Sequence, residues 1–276
     1  MLYVCATPIG NLGDVTLRVL DALRHVEVIA AEDTRRTRKL LSHFDIHTPL
    51  TSFYAHNEAQ KTTYVLEKLR AGADVALVTD AGLPGISDPG ARLVSAVLAD
   101  GLPLSVLPGP SAPATALVAS GLAGESGFRF VGYLPRRPKD LLAAVAGWRR
   151  CGGVVVAFET PQRLSRSLAE LAALLPDMPA AVCRELTKLH EEVARGPVAE
   201  LAACFAPAEA QVRGEITLVL DLGDPDERAA APDAAVAAAA LLAKGLSRRD
   251  SAAALTICLG LSHRQAEVAV RAASEV

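Results

Sequence analysis

Short runs of β-branched and aliphatic residues alternate with segments of helical period from the start of the chain, the pattern of parallel strands joined by crossover helices. Five runs predict strands in the first half, at 2–6, 26–31, 50–54, 74–79 and 103–107. Between the first two, Val15, Val19, Leu20, Leu23 and Val26 recur at helical spacing behind Asp14, a residue suited to cap the helix. Leu40, Leu41 and Phe44 mark a second helix. Tyr64, Val65 and Leu69 mark a third, with Asn57 placed to cap it and Gly72 to end it. A fourth is expected to begin at Asp88-Pro89, with proline at the first helical position, and to stop at Gly101.

Small and polar residues (Gly121, Gly124, Glu125, Ser126, Gly127) then read as a linker, after which the alternation restarts. Strands are expected at 128–133, 154–158 and 180–186, and Ile216-Thr217-Leu218-Val219-Leu220 is the strongest strand signal of this half. Helices are expected at 140–150 and 161–175, with a short one opened by Gly196-Pro197. Beyond Gly223-Asp224-Pro225-Asp226 the composition shifts, ten of the fifteen residues at 229–243 being alanine. The tail reads as three short helices broken at Gly245 and Gly260. The expected organisation is an α/β domain over 1–120, a second α/β domain over 121–225 and a small helical module over 226–276.

Composition narrows the class. With 276 residues, 51% hydrophobic and 21% charged, the chain is of globular type, and no apolar run approaches the roughly 18 residues of a spanning helix. No basic region precedes the apolar opening, and Pro8 and Gly10 interrupt it early, so a core strand and a cytoplasmic location are expected rather than a signal peptide or a membrane association. The five cysteines (Cys5, Cys151, Cys183, Cys204, Cys258) are odd in number and show no C-x-x-C pair, which predicts buried free thiols and no metal. His43 and His47 lack metal spacing and read as surface residues. A net charge of -3 excludes a whole-surface hold on nucleic acid and leaves local basic patches.

In open parallel sheets ligands gather at the carboxyl ends of the strands. After the first strand, residues 7–14 (TPIGNLGD) form a glycine-rich turn without the spacing of a phosphate loop. After the fourth, residues 80–90 (DAGLPGISDPG) hold glycines that admit close backbone approach and carboxylates that can accept from a ribose or an amine. Pro108-Gly109-Pro110-Ser111-Ala112 follows the fifth strand, where Ser111 is also an ordinary helix cap. Ala31-Glu32-Asp33-Thr34-Arg35, followed by Arg36, Arg38 and Lys39, suits either a solvated helix start or one wall of a catalytic cleft with a phosphate-binding flank. Phe158-Glu159-Thr160-Pro161 and Cys183-Arg184-Glu185-Leu186-Thr187-Lys188 end strands of the second half. Two facing sets of strand ends predict a cleft between the two α/β domains.

Taken in order and near these spacings, the five segments TPIGNLGD, AEDTR, DAGLPGISDPG, PGPSA and RELTK resemble the bacterial small-subunit ribosomal RNA (cytidine-2'-O)-methyltransferase I family, a branch of the tetrapyrrole methylase superfamily. The resemblance runs from Leu2 to about Leu222 and extends to a small C-terminal domain. It implies two α/β domains with S-adenosylmethionine in the cleft between them, 2'-O-methylation of a cytidine ribose in small-subunit (16S) ribosomal RNA, and a homodimer. It places cofactor contacts on Ile9, Gly10, Asp80, Ala81, Gly82 and Gly85, on Ser111 and Ala112, and on Phe158, Leu186 and Ile216. Leu83 stands where the family usually has threonine.

The transfer needs alignment and help with a weakly acidic proton, but no metal. Candidate bases or orienting groups are Asp33, Glu185, Glu32 and Glu159, and the RNA-facing cations are Arg35, Arg36, Arg38, Lys39 and Lys188. Two other readings stay open: a methylase of a tetrapyrrole macrocycle, which needs a wide apolar bay, and a non-catalytic ribosome-assembly factor that binds RNA through the tail. The tail carries five basic and four acidic residues over 230–276, which suits either docking or packing as a stability element.

Overall fold

The computed structural model describes residues 1–206, 213–225, 234–259 and 261–274. They form two compact units, one of Met1–Leu134 with Val154–Asp221 and one of Pro135–Gly153 with Leu222–Val276.

The first unit holds two five-stranded sheets. One is wholly parallel, with β1 (Leu2–Cys5), β2 (Val28–Ala31), β3 (Leu50–Ser52), β4 (Val75–Val78) and β5 (Leu104–Leu107) in the order β3-β2-β4-β1-β5. Every residue of β2 and β4 is buried, which is why these strands read as continuous apolar runs. Helices α1 (Leu17–His25), α2 (Thr34–His43), α3 (Glu58–Arg70) and α4 (Ala91–Ala99) make the crossovers. Leu20, Leu23 and Leu41 pack with Ile29 in one core, and Phe53, Val65, Leu69 and Leu93 with Leu77 in another.

Two helix starts differ from the sequence reading. Asp14 ends a 3₁₀ turn (Leu12–Asp14) capped by Asn11, and α1 is capped by Thr16, whose hydroxyl accepts from Val19 N–H. Pro89 does not open α4: its carbonyl accepts Gly85 N–H at 3.2 Å, closing the loop on itself, and the helix starts two residues later behind Gly90. Asn57 stands before α3 as expected, but its carboxamide oxygen accepts Tyr54 N–H at 2.8 Å and so closes a turn rather than capping the helix.

Helix α5 (Ala112–Ser120) leaves the end of β5 and packs on the second sheet, Ala116 lying in one apolar cluster with Val156, Ala181 and Val219. Arg195 closes its carboxyl end, donating to Ser120 O at 3.1 Å. The second sheet comprises β6 (Phe128–Tyr133), β7 (Val154–Glu159), β8 (Pro179–Arg184), β9 (Glu192–Pro197) and β10 (Ile216–Asp221) in the order β6-β7-β10-β8-β9. Only β6 and β7 run parallel; the other pairs are antiparallel, and β9 is a strand that the apolar pattern did not announce. Helices α7 (Pro161–Leu174) and α8 (Val198–Cys204) complete this part.

The second unit holds α6 (Pro138–Cys151) and the tail helices α9 (Ala234–Ala243), α10 (Arg248–Leu259) and α11 (His263–Ala273). The tail packs through Ala238, Ala252, Leu255, Ala266 and Val270, and Ser262 with Gln265 forms a capping box for α11. Gly260, the second expected break, lies outside the described residues, as do Asp233 and Glu275.

Cys5 and Cys183 are buried thiols, raised by desolvation to about 12 and about 11. Cys151 and Cys204 are exposed, contrary to the expectation of burial, because each is the last residue of its helix. The side chain of Cys258 lies outside the described residues. No described helix is long and apolar enough to cross a membrane.

Candidate active site

The strand order reverses at the central pair β4-β1, so the loops that leave the carboxyl ends of these two strands diverge and open a crevice. A reciprocal pair of backbone bonds stitches the loops together: Thr7 N–H donates to Gly82 O at 2.9 Å and Gly82 N–H to Thr7 O at 3.0 Å. The Thr7 hydroxyl adds a bond to Thr79 O at 3.0 Å. Gly82 sits at φ 78°, the left-handed region in which a side chain is strained. The crevice is a cavity of about 350 Å³, within the size range of small-molecule sites.

One wall is acidic. At the ends of β2 and β4, Asp80 N–H donates to Glu32 Oε2 at 3.2 Å, and Asp33 N–H donates to Asp80 Oδ1 at 3.1 Å. Arg36 pairs with the other Asp80 oxygen at 3.4 Å. Desolvation and the neighbouring Asp80 charge push the Glu32 carboxyl above its usual range, against the Asp80 N–H that it accepts. Asp88 joins this wall from the loop after β4.

Another part of the lining is apolar and hydroxylic. Ile9, Ala81, Phe158 and Ile216 supply the apolar surface, and Ala112-Pro113 brings the amino end of α5 to the edge. Ser111 occupies the N-cap position of α5, yet its hydroxyl makes no capping bond, and the residue lines the cavity. Leu83 lines the cavity as well, and its apolar side chain also packs against the core. Glu159 is buried at the end of β7: its Oε2 accepts the Ser167 hydroxyl at 2.7 Å and pairs with Arg163 at 3.3 Å, while Oε1 accepts Thr160 N–H at 2.6 Å.

The residues singled out from the sequence divide into three groups. Ile9, Asp80, Ala81, Gly82, Ser111, Ala112, Phe158 and Ile216 converge on the cavity, as do Glu32, Glu159 and Arg36. Gly10, Gly85, Leu186, Asp33 and Glu185 are not among the residues that line it. Gly10 faces the loop after β8 so closely that a Cβ there would lie 2.9 Å from Leu186 O and 2.5 Å from Lys188 Cγ.

Asp33 caps α2 and binds Arg35 through both carboxylate oxygens, which holds it well below the usual carboxylate range. Burial would raise Glu185, but Lys188 at 2.7 Å and Glu215 N–H at 2.8 Å bring it below the ordinary value. The third group, Arg35, Arg38, Lys39 and Lys188, lies off the cavity. Arg35, Arg36, Arg38 and Lys39 form the exposed face of α2, whose other face buries Thr37, Leu40 and Leu41. His43 and His47 are exposed, as their spacing suggested.

Sequence reasoning did not single out Tyr133, Thr217, Gly214 or Asp88 as site residues. Tyr133 ends β6, whose arrival at the cavity follows from its pairing with β7. Gly214, at φ 97°, leaves room for Glu185, which a Cβ would meet at 2.4 Å. Asp88 had a visible signal, a second carboxylate in a loop dense with glycine and proline.

Residues 1–202 match the family model of tetrapyrrole (corrin/porphyrin) methylases. The chain is 44% identical to the ribosomal RNA small subunit methyltransferase I of Micromonospora olivasterospora, over 92% of this chain and 79% of that protein. It is 41% identical to the protein of the same name from Synechocystis sp., over 96% of this chain and 95% of that one. Among solved structures, the methyltransferase CobJ superposes with a TM-score of 0.59 at 19% identity, over 80% of this chain and 93% of that one. Uroporphyrin-III C-methyltransferase from Thermus thermophilus, in complex with S-adenosylhomocysteine, superposes with a TM-score of 0.56 at 19% identity, over 80% and 96%. At such identity these two structures show a common fold. The family model and the relatives at 41–44% identity together place this chain in the tetrapyrrole methylase family, among its ribosomal RNA small subunit methyltransferase I members.

Proposed function

We propose that the protein is an S-adenosylmethionine-dependent methyltransferase that acts on the 2'-hydroxyl of a cytidine in small-subunit ribosomal RNA. The observation that carries this reading is the convergence of four of the five motif segments on one cavity lined by both carboxylates and apolar side chains.

That cavity suits the cofactor chemically. A ligand bearing a sulfonium and an ammonium finds the carboxylates of Glu32 and Asp80 in the lining, and a flat apolar base finds Ile9, Ala81, Phe158 and Ile216. When bound, S-adenosylmethionine supplies a methyl group activated by a positively charged sulfur. Ser111 offers a hydroxyl, and Gly82 with Ala81 allows backbone approach where larger side chains would block it. Gly10, Gly85 and Leu186 belong to the same proposal as supports of the loops that form the walls. Lys188 and Glu185 tie the loop after β8 in place.

The substrate phosphates belong outside the cavity, because its carboxylates repel them. The exposed face of α2 supplies cations there. Arg35 and Arg36 are paired with Asp33 and Asp80, whereas Arg38 and Lys39 make no hydrogen bond or ion pair among the described residues. Replacing Arg38 and Lys39 together by glutamine is expected to flatten the salt dependence of RNA binding by about 1.4 to 1.8 in log–log slope, two contacts at roughly 0.7 to 0.9 each. Cofactor affinity should not change. An unchanged slope would assign this face to solvent alone.

Location in the cytoplasm, a homodimer, and ribosome docking through the three tail helices belong to the same proposal. Its domain organisation is 1–120, 121–225 and 226–276. The decisive test is transfer of labelled methyl from S-adenosylmethionine to small ribosomal subunits lacking this modification, followed by mapping of the 2'-O-methyl group. Transfer to a tetrapyrrole and not to RNA would overturn the reading.

A further inference from the structure

Among the described residues, the carboxylates in and around the cavity are already engaged, with one exception. Glu32 accepts Asp80 N–H, Asp80 accepts Asp33 N–H and pairs with Arg36, and Glu159 is held by Ser167, Thr160 and Arg163. Glu185 and Glu215 both bind Lys188. Asp88 is the exception. Among the described residues no hydrogen bond or ion pair reaches its carboxylate, although the side chain is half-buried and lines the cavity.

The backbone around Asp88 is built to hold it there. Ser87, immediately before it, adopts φ 64°, a left-handed conformation unusual for a residue with a side chain. On the other side the loop is closed by Gly85 N–H to Pro89 O, and Gly90 N–H donates to Glu58 Oε1 at 3.0 Å. Gly90 is so tightly seated that a Cβ would lie 2.8 Å from Leu77 Cδ2 in the core. A strained residue and three tied ones therefore present a carboxylate that has no structural partner, and outliers of this kind concentrate at functional sites.

We propose that Asp88 is the general base of the methyl transfer, the group that accepts the proton of the target hydroxyl. This rests on the functional reading above. The hydroxyl oxygen forms its bond to the methyl carbon, the carbon–sulfur bond breaks with its electron pair going to sulfur, and the hydroxyl proton passes to Asp88. Solvent then removes that proton. A base works best when its affinity for a proton matches the operating pH. Desolvation first, then the charges of Glu32 and Asp80, raise the Asp88 carboxyl to about 7. The other charged and titratable groups lining the cavity are Arg36, Tyr133, Glu159 and Glu215. Burial, then the Asp88 charge, push the Tyr133 hydroxyl upward, so it stays protonated near neutrality.

The test uses the full chain with Asp88→Asn and Asp88→Glu. Three quantities are measured: cofactor affinity by calorimetry, the single-turnover methylation rate on small ribosomal subunits against pH, and thermal stability against pH. The expected result for Asp88→Asn is unchanged cofactor affinity, a rate lowered by about 10²- to 10⁴-fold, and loss of the inflection near neutrality expected of the parent. Asp88→Glu should restore part of the rate with a displaced inflection.

Stability supplies a readout independent of turnover. A carboxyl raised in the folded state makes the parent progressively less stable as pH rises from about 4, the unfolded value, to the folded one. Asp88→Asn should therefore match the parent below about pH 4 and exceed it in Tm above neutrality. An active parent with an equally active Asp88→Asn overturns the assignment. So does a rate loss that saturating cofactor repairs, which would make Asp88 a cofactor contact. A parent that methylates no ribosomal RNA overturns the functional reading and the base assignment with it.

Discussion

Glu159→Ala is expected to lower the stability of the protein by about 3 kcal/mol, and Tm by roughly 6–12 °C for a chain of this size. The side chain of Glu159 has 0% exposure, and its two oxygens receive the Ser167 hydroxyl, Thr160 N–H and the Arg163 guanidinium. Truncation removes all three bonds at once, strands the Ser167 hydroxyl and leaves the Arg163 cation without its Glu159 partner. Those groups fasten the first turns of α7 to the end of β7, where the strand meets the cavity. Glu159→Gln keeps the shape and one acceptor, so its loss should be about half as large. Urea denaturation distinguishes the two. A Glu159→Ala loss below about 1 kcal/mol would show that the buried cluster relaxes without its carboxylate.

Gly10→Val should abolish detectable cofactor binding while leaving the protein folded. The added Cβ would fall 2.5 Å from Lys188 Cγ, 2.7 Å from Thr187 Oγ1 and 2.9 Å from Leu186 O. The last of these is backbone and cannot swing aside. Thr187 and Glu185 already hold φ 66° and 52°, so the loop after β8 has little freedom to retreat without releasing its strained conformation. The loop after β1 must move instead, and with it Ile9, one of the cavity's apolar wall residues. Overpacking of this kind costs about 1–3 kcal/mol, small enough for the fold to survive. Calorimetry with S-adenosylmethionine reads the effect. Retained affinity would mean that the loop after β1 does not shape the pocket.

The first sheet was legible because its strands are buried on both faces, so that Val28–Ala31 and Val75–Val78 appear as unbroken apolar runs. Strand β9 was not, because Glu192–Pro197 carries Glu192, Arg195 and Gly196-Pro197 on an edge strand, where half-exposure blurs the alternation. Strand direction in the second sheet was equally hidden. Residue pattern sets which face is buried, but only the connections make β10 run antiparallel to both of its neighbours.

At the site, motif position identified the loops at the strand ends but could not tell a carboxylate that faces the cavity from one that caps a helix. Asp33 and Asp88 look alike in sequence, each just ahead of a predicted helix. The structure separates them by their partners: Asp33 binds its own helix and Arg35, whereas Asp88 binds nothing described. The expected cap at Asp14 failed for a related reason, since Thr16 lies nearer the true helix start.

The acidic wall bears on turnover as well as on loading. Under the proposed function, Glu32 and Asp80 attract a methyl donor whose sulfur is positively charged, yet the same sulfur becomes a neutral thioether once the methyl has left. The spent molecule therefore loses part of its electrostatic hold at the moment its work is done. A pocket built from carboxylates thus favours exchange of product for fresh donor without any moving lid, and added salt should narrow the difference in affinity between the two.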